Sequence, residues 1–440
     1  MIVSQMRGLA ISFVLALALE QQALPASRDY LSEELFRGFP FDRWAARGDH
    51  ADIHWSAHVN GPLLSNHQRF VAAFEALIDG REMFKRSGHG ELVVMVRVKD
   101  ASGHSWNGGT VLDLSDIPEQ AKSQDWSVVQ QAFVLPGEYD AEIAVCDSQT
   151  KEYSFARRKL HVAPLHGDPL PNAWRNLPAV EMIPAQDLPD AWYLPEILSG
   201  ISIAPGNERP VHVELLMNIT PSERAAGSLR VFRRNMALLV PALKSLTSMA
   251  PVDGGLDLSI ADLVQHSIVG EQKNIRELDW SSLRKAFAET TPGVVDARLL
   301  AQQRTMKQYF RDQVERHAES AQGPRVLVIL SSPVVFDKQD EIAPLSLPSD
   351  PNRRVIYIRF RPYVPPIARR GAGPRGGPPP MAPVPQMALE DDLEGVLRPL
   401  SPRIWNVTQP IDFRKALGHV LEEITHLGQP APPPVRSQPH

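Results

Sequence analysis

Residues 210–222 read Pro210-Val-His-Val-Glu-Leu-Leu-Met-Asn-Ile-Thr-Pro-Ser222, and the fold of half the chain turns on them. Val211, Val213, Leu215, Leu216 and Met217 form an apolar run too short to cross a bilayer and too β-branched to favour a helix. It reads as a strand covered on both faces. After a polar turn, Leu229, Phe232, Met236, Leu239, Leu243 and Leu246 recur at three- and four-residue steps, the pattern of an amphipathic helix, with Pro241 predicting a kink. In open α/β sheets ligands bind beyond the carboxyl ends of strands, so Asn218, Thr220 and Ser222 are expected to face any site.

The same alternation continues to residue 428. Strand signals fall at 256–263 and near 275–278, and a helix is expected over 297–317. Arg325-Val-Leu-Val-Ile-Leu-Ser-Ser332 is the strongest buried-strand signal in the chain, and Arg353-Val-Ile-Tyr-Ile-Arg359 follows it. Phe413, Ala416, Leu417, Val420, Leu421, Ile424 and Leu427 mark a last helix with Asp412 in its first turn and Gly428 as its stop. Strands alternating with helices predict a doubly wound, Rossmann-like α/β domain over 209–428, interrupted by a flexible Pro/Gly-rich insertion at 362–390.

The spacing Asn218-x-Thr220-x-Ser222 resembles the D-x-S-x-S start of a von Willebrand factor type A domain, whose Asp and two hydroxyls help hold a divalent cation. Residues 326–332 are similar to that family's fourth strand, which normally ends in T-D-G, and 404–424 to its final strand and helix. The resemblance covers about half the chain. With a leader and a β-rich first half, the whole resembles the exported "VWFA-related" proteins of soil bacteria. The resemblance implies a metal site in which Asn218 replaces one aspartate and Ser331 or Ser332 the other. The other implied ligands, Thr220, Ser222 and Thr290 or Thr291, are neutral too. Hard cations need anionic oxygens, so the expectation is a metal-free hydrogen-bonded strand end with no cofactor, or at most weak magnesium. Asp253, Asp257 or Asp337 could restore charge from a neighbouring loop.

Upstream, residues 48–165 alternate apolar runs with turn signals, as an all-β sandwich does. Trp106-Asn-Gly-Gly109 reads as one of those turns. Pro136-Gly-Glu-Tyr139 resembles the turn entering a late strand of immunoglobulin-like modules, and Tyr153, Phe155, Leu160 and Val162 suit a closing strand. Residues 27–47 and 166–208 read as linkers, the second because seven prolines interrupt it. Its Trp174, Trp192 and Tyr193 suggest docking on a domain surface.

Residues 1–26 have the layout of a secretory signal peptide, with cleavage expected after Ala26. Their apolar core is shorter than the roughly 17 residues of a membrane span, and no other segment could span. The chain is therefore expected to be exported, periplasmic or extracellular, with a disordered tail at 429–440. Its 440 residues, 43% apolar, are enough for two or three cores. A net charge of −5 argues against nucleic acid as a partner. A single cysteine, Cys146, excludes an internal disulfide and reads as a buried hydrophobe.

Gly371-Ala-Gly-Pro-Arg-Gly376 satisfies G-x-G-x-x-G only as text, with no strand before it or helix after it. His54 and His58 would lie about 13 Å apart on a strand, too far for one ion. The sequons at Asn218 and Asn406 read as incidental. Two function classes remain. The preferred one is a non-enzymatic exported protein that binds a protein partner or assembles a surface complex, with Asn218, Thr220, Ser222, Ser331 and Ser332 at the contact. The alternative is an exported hydrolase whose acids come from Asp253, Asp257, Glu289, Asp296 and Asp337.

Overall fold

The computed structural model describes residues 27–30, 36–183, 201–204, 209–220, 229–249, 254–290, 305–319, 323–336, 343–345, 347, 350–361 and 390–429. Residues 1–26, Trp192, Tyr193, Ser222, Asp253, Thr291, Asp296, Asp337 and the stretch 362–389 lie outside the described residues. The chain divides into two compact units. The first is Met1–Pro62 with Val71–Pro164 and Ala179–Gln186; the second is Leu63–Phe70 with Leu165–Pro178 and Asp187–His440.

The first unit is built of β1 (Ser27–Tyr30), α1 (Phe41–Arg47), β2 (His50–Ala51), β3 (Trp55–Leu64), β4 (Phe70–Ile78), α2 (Gly80–Lys85), β5 (Glu91–Asp100), β6 (Ser105–Asp113), β7 (Trp126–Val134), β8 (Gly137–Asp147), β9 (Tyr153–Val162) and β10 (Val180–Ile183). They form two sheets, ordered β1-β6-β5-β8-β9-β2 and β10-β7-β4-β3. Ile78 and Val128 of the smaller sheet share a core with Leu92, Val94, Leu112 and Val145 of the larger. The opposite face of the larger sheet, with Val93, Met95 and Cys146, is covered by Phe36, Phe41 and Trp44. Burial pushes the Cys146 thiol up to about 11.

Three expectations are corrected here. Residues 27–47 are not merely a linker: β1 pairs with β6, and α1 turns its aromatics onto the sheet. Trp106–Gly109 is strand, not turn; a Cβ on Gly108 would sit 3.2 Å from Met182 Cγ, so the glycine admits a close neighbour. The segment 166–208, for all its prolines, contains β10, whose Val180 and Ile183 pair with Val134 and Gln131. Pro136-Gly137 leads into β8, and the Tyr139 hydroxyl donates to the Leu135 carbonyl at 2.9 Å.

The second unit contains β11 (His212–Asn218), α3 (Leu229–Thr247), β12 (Leu256–Asp262), β13 (Ser267–Gln272), α4 (Trp280–Glu289), α5 (Met306–Glu319), β14 (Arg325–Ser331), β15 (Arg353–Phe360), α6 (Asp392–Leu397), β16 (Arg403–Val407) and α7 (Pro410–Gly428). They make one mixed sheet ordered β13-β12-β11-β14-β15-β16. All neighbours in it run parallel except β12 and β13. Strand alternation splits the quoted stretch between two cores. Val213, Leu215 and Met217 pack with Met236 and Leu243 of α3 and Leu417 and Val420 of α7. Leu216 joins Phe310 and Val314 of α5 and Leu393 of α6. Burial on both faces is why the run is continuous rather than alternating.

The strand expected near 275–278 is a correction. Ile275 and Leu278 are apolar because they bury against the core as the chain enters α4, whose N-cap is Asp279. The real edge strand β13 is half-exposed and carries little hydrophobic signal. Helix α3 runs through Pro241 to Thr247. Within this unit Trp174 does dock, stacked under Arg414 at 4.3 Å from its guanidinium carbon. Arg414 is fully buried and grips the Asp168 carboxylate through Nε at 2.6 Å and Nη2 at 2.7 Å, a bidentate pair. Burial pushes the Asp168 carboxyl up, but the Arg414 hydrogen bonds and charge outweigh it and hold that carboxyl below the ordinary range.

Candidate functional site

In this sheet the chain order reverses between β11 and β14, so the crevice beyond their carboxyl ends is the topological switch point. Asn218 ends β11 and Ser331 ends β14, which brings two residues 113 apart in sequence into contact. The Asn218 amide donates to Ser331 Oγ at 2.8 Å. Ser331 in turn donates to the Ser332 carbonyl at 2.5 Å. The other Asn218 atom, Oδ1, accepts the Thr220 backbone N–H at 3.0 Å. Thr220 Oγ1 donates to Asp262 at the end of β12, 3.2 Å away, and accepts the Leu263 N–H at 2.8 Å.

Helix α3 is pinned to both strands by Asn235, whose amide donates to the Ile219 carbonyl at 3.0 Å and whose Oδ1 accepts from Ser332 Oγ at 2.6 Å. Sequence reasoning did not single out Asn235. A polar residue inside an otherwise apolar helix face was the available signal. Asp262 Oδ1 also caps the turn after β12, accepting from Val264 and Gln265 at 2.9 and 3.2 Å. Asn218, Thr220, Ser331, Ser332 and Asn235 are all buried. Their donors and acceptors answer one another, as buried polar groups must.

Farther along the same edge, Arg359 of β15 donates to Asn406 Oδ1 at 2.7 Å, to Asp391 at 2.9 Å and to Glu394 at 3.1 Å. The Tyr357 hydroxyl lies beside Asp391; its pKa is driven well above the usual value, first by burial and then by that carboxylate.

Of the residues expected at the switch point, Asn218, Thr220, Ser331 and Ser332 meet there. Ser222 and Thr291 lie outside the described residues. Thr290 does not join them: it terminates α4, with its Oγ1 on the Ala286 carbonyl at 3.0 Å. Asp257, offered as a source of charge for this end, is a further correction. It is the second residue of β12 and therefore sits at the opposite, amino-terminal end of the sheet. Among the described residues the acids suggested for a hydrolase, Asp257 and Glu289, belong to different elements and form no pair with one another; Glu289 is the last residue of α4.

At that opposite end a different set of side chains converges. His212 and Glu214, two residues apart on β11, share a face, and Asp257 is the register partner of Glu214 on β12. Their donor atoms lie within 4.8 Å of one another. His317 of α5 reaches Glu214 as well, its Nδ1 lying 2.5 Å from Oε1. The Glu214 hydrogen bond above all, against the effect of burial and aided by the Gly254 carbonyl and Asp257, raises the His212 pKa. The signal that could have flagged half of this group, a His and a Glu at i and i+2 on a strand, stands inside the opening stretch.

No family model matches the chain, and no curated protein matches it. A search of solved structures gives a β-glucuronidase from Parabacteroides merdae at 10% identity and a TM-score of 0.17, covering 64% of this chain and 33% of that one. A likeness that weak carries no argument about fold or activity. The chain spans about a third of the glucuronidase's length. Among the described residues, no helix is long and apolar enough to cross a membrane.

Proposed function

We propose that this is an exported protein, periplasmic or extracellular, that binds a protein partner or helps assemble a surface complex, without catalysis. Its second unit is a diverged type A-like, Rossmann-like domain and its first an immunoglobulin-like sandwich. The strand order, which counts 3-2-1-4-5-6 within the second sheet, supports the α/β reading. The hydroxyl of Tyr139, bonded back to a carbonyl four residues upstream at 2.9 Å, supports the immunoglobulin-like one.

One observation carries the functional reading: the switch-point residues that would hold a cation in a type A domain are neutral and already bonded to each other. Asn218 gives its amide to Ser331, and Ser332 gives its hydroxyl to Asn235. These buried side chains hold the chain at Ile219, Thr220 and Ser332, where it leaves β11 and β14 for the loops that follow. Those loops, rather than Asn218 or Ser332 themselves, are where a partner would be met.

Calorimetric titration with magnesium, manganese and calcium tests this, run on an Asp257→Asn background so that the far end of the sheet contributes no heat. The reading expects no saturable heat at millimolar ion, and none in Asn218→Ala. Saturable binding that disappears in both Asn218→Ala and Thr220→Ala would replace it with a working metal site. In the producing cell, a photocrosslinker at Gln265, in the turn after β12, is expected to trap a discrete protein. Absence of any adduct from several positions on that rim would contradict the proposal.

A further inference from the structure

We propose that His212, Glu214 and Asp257 form a three-ligand site for a divalent transition-metal ion of the zinc class at the amino-terminal end of the second sheet. It stands independently of the partner-binding reading, which concerns the other end.

The geometry is that of a coordination sphere. His212 Nε2 lies 3.2 Å from Glu214 Oε2 and 3.6 Å from Asp257 Oδ2. Zinc–ligand distances of about 2.0–2.1 Å at tetrahedral angles put neighbouring donor atoms about 3.3 Å apart.

Each of the three residues also has its second polar atom held from outside the group. His212 Nδ1 faces the Gly254 carbonyl at 2.9 Å. Glu214 Oε1 is engaged by His317 at 2.5 Å. Asp257 Oδ1 accepts the Asn274 backbone N–H at 2.7 Å. The atoms left facing inward are one from each ligand, which is how outer-shell partners orient metal ligands. The Gly254 carbonyl is itself fixed: a Cβ there would lie 2.3 Å from the Val211 carbonyl carbon, so only glycine lets the loop close on His212.

Chemistry asks for a cation at this point. Glu214 and Asp257 stand directly opposite each other on adjacent strands, a placement that disfavours pairing unless a positive charge lies between them. With Nδ1–H given to Gly254, Nε2 is the His212 atom that meets the two carboxylates; it hydrogen-bonds Glu214 at 3.2 Å, and an ion would take the place of the proton in that contact. The site is not sealed: the side chains of His212 and Asp257 are 17% and 20% exposed, which leaves an approach for the ion and room for water as a fourth ligand. An imidazole beside two carboxylates favours zinc over magnesium or calcium, which take oxygen alone.

The test is equilibrium zinc titration of the full chain after treatment with a chelator, against a competing indicator and in millimolar magnesium. One zinc per chain is expected. Asp257→Asn and His212→Gln are expected to lose that equivalent while keeping wild-type circular dichroism and melting behaviour in chelator. Replacing the outer-shell His317 by Phe should weaken binding about 10- to 100-fold without abolishing it. X-ray absorption at the zinc edge on the wild-type chain, which needs no variant to fold, should find a single imidazole among oxygen ligands. A wild-type chain that binds no more zinc than the two ligand variants would overturn the proposal and leave a protonated His212 as the cation. Tight binding that survives both substitutions would overturn it in favour of another site.

Discussion

The two ends of the parallel strands in the second sheet are built differently. At the carboxyl ends, where α/β sheets ordinarily hold ligands, Asn218, Ser331, Ser332 and Asn235 bond to one another as neutral, buried groups, and Thr220 donates to the Asp262 carboxylate. At the amino-terminal end two carboxylates face each other across a strand pair with a histidine against both. Both arrangements use residues of the same short strand, β11: His212 and Glu214 lie six and four positions before Asn218. A strand-end location is therefore a poor guide to where charge is concentrated, because the direction of the strand does not fix which polar residues it carries. The carboxyl end ties its polar groups to one another, Asp262 included, whereas the amino-terminal end gathers three side chains whose donor atoms one ion can bridge.

This contrast can be broken most forcefully at the charged end. Zinc present at about a thousand times its dissociation constant should stabilise the second unit by about 4 kcal/mol. Asp257→Asn should remove that gain, and denaturant unfolding with and without zinc measures it. If the neutral end supplied the gain, Asn218→Ala would remove it instead. Next comes the strand between the two ends. Leu216 is buried in the core beneath α5, so Leu216→Ala should cost about 3 kcal/mol and loosen both ends together. Its denaturant midpoint should fall and zinc affinity should fall with it.

A smaller effect sharpens the comparison from the other side. Ser331→Ala strands the buried Asn218 amide, at a cost of about 1–3 kcal/mol, and should leave zinc affinity at the wild-type value. A change in zinc affinity there would mean that the two ends are coupled through β11.

The smallest effect concerns acid sensitivity, to which the Asp168–Arg414 pair contributes alongside other carboxyls held below their ordinary range, Asp279 and Asp412 among them. The folded-state pKa of Asp168 is depressed, so its contribution is present above the ordinary carboxylate value of about 3.9 and is lost as pH falls through the folded value. Arg414→Met should flatten that acid limb of a stability–pH curve followed by tryptophan fluorescence.

Much of the architecture was written in hydrophobic pattern. The runs that became β11, β14 and β15 are apolar because both faces of the sheet are covered, and the seven-residue stripe of α7 fits its single core face. What escaped notice has a common physical cause. β13 is a half-exposed edge, β10 hides among prolines whose missing N–H groups suggest coil, and α4 is short and announced mainly by its Asp279 cap. The Trp106–Gly109 stretch looks like a turn because glycine has two uses, and here the close approach of Met182 is the one that applies.

At the site level, Asn218 and the serines at 331 and 332 were legible as polar residues at the carboxyl ends of two buried strands. Which serine bonds to which amide was not: Asn218 takes Ser331, and Ser332 turns to a helix residue, Asn235. The histidine–carboxylate group is assembled from positions 212, 214, 257 and 317, and only the register of β11 with β12 brings the first three together. Spacing along the chain carries no trace of that register.

Anomalous diffraction at the zinc edge, from crystals of the full chain exposed to zinc, is the most direct measurement of the contrast between the ends. The account predicts a peak between His212 Nε2, Glu214 and Asp257, with none beside Asn218 and Ser331. A peak at the Asn218 end, or none at either, would contradict it.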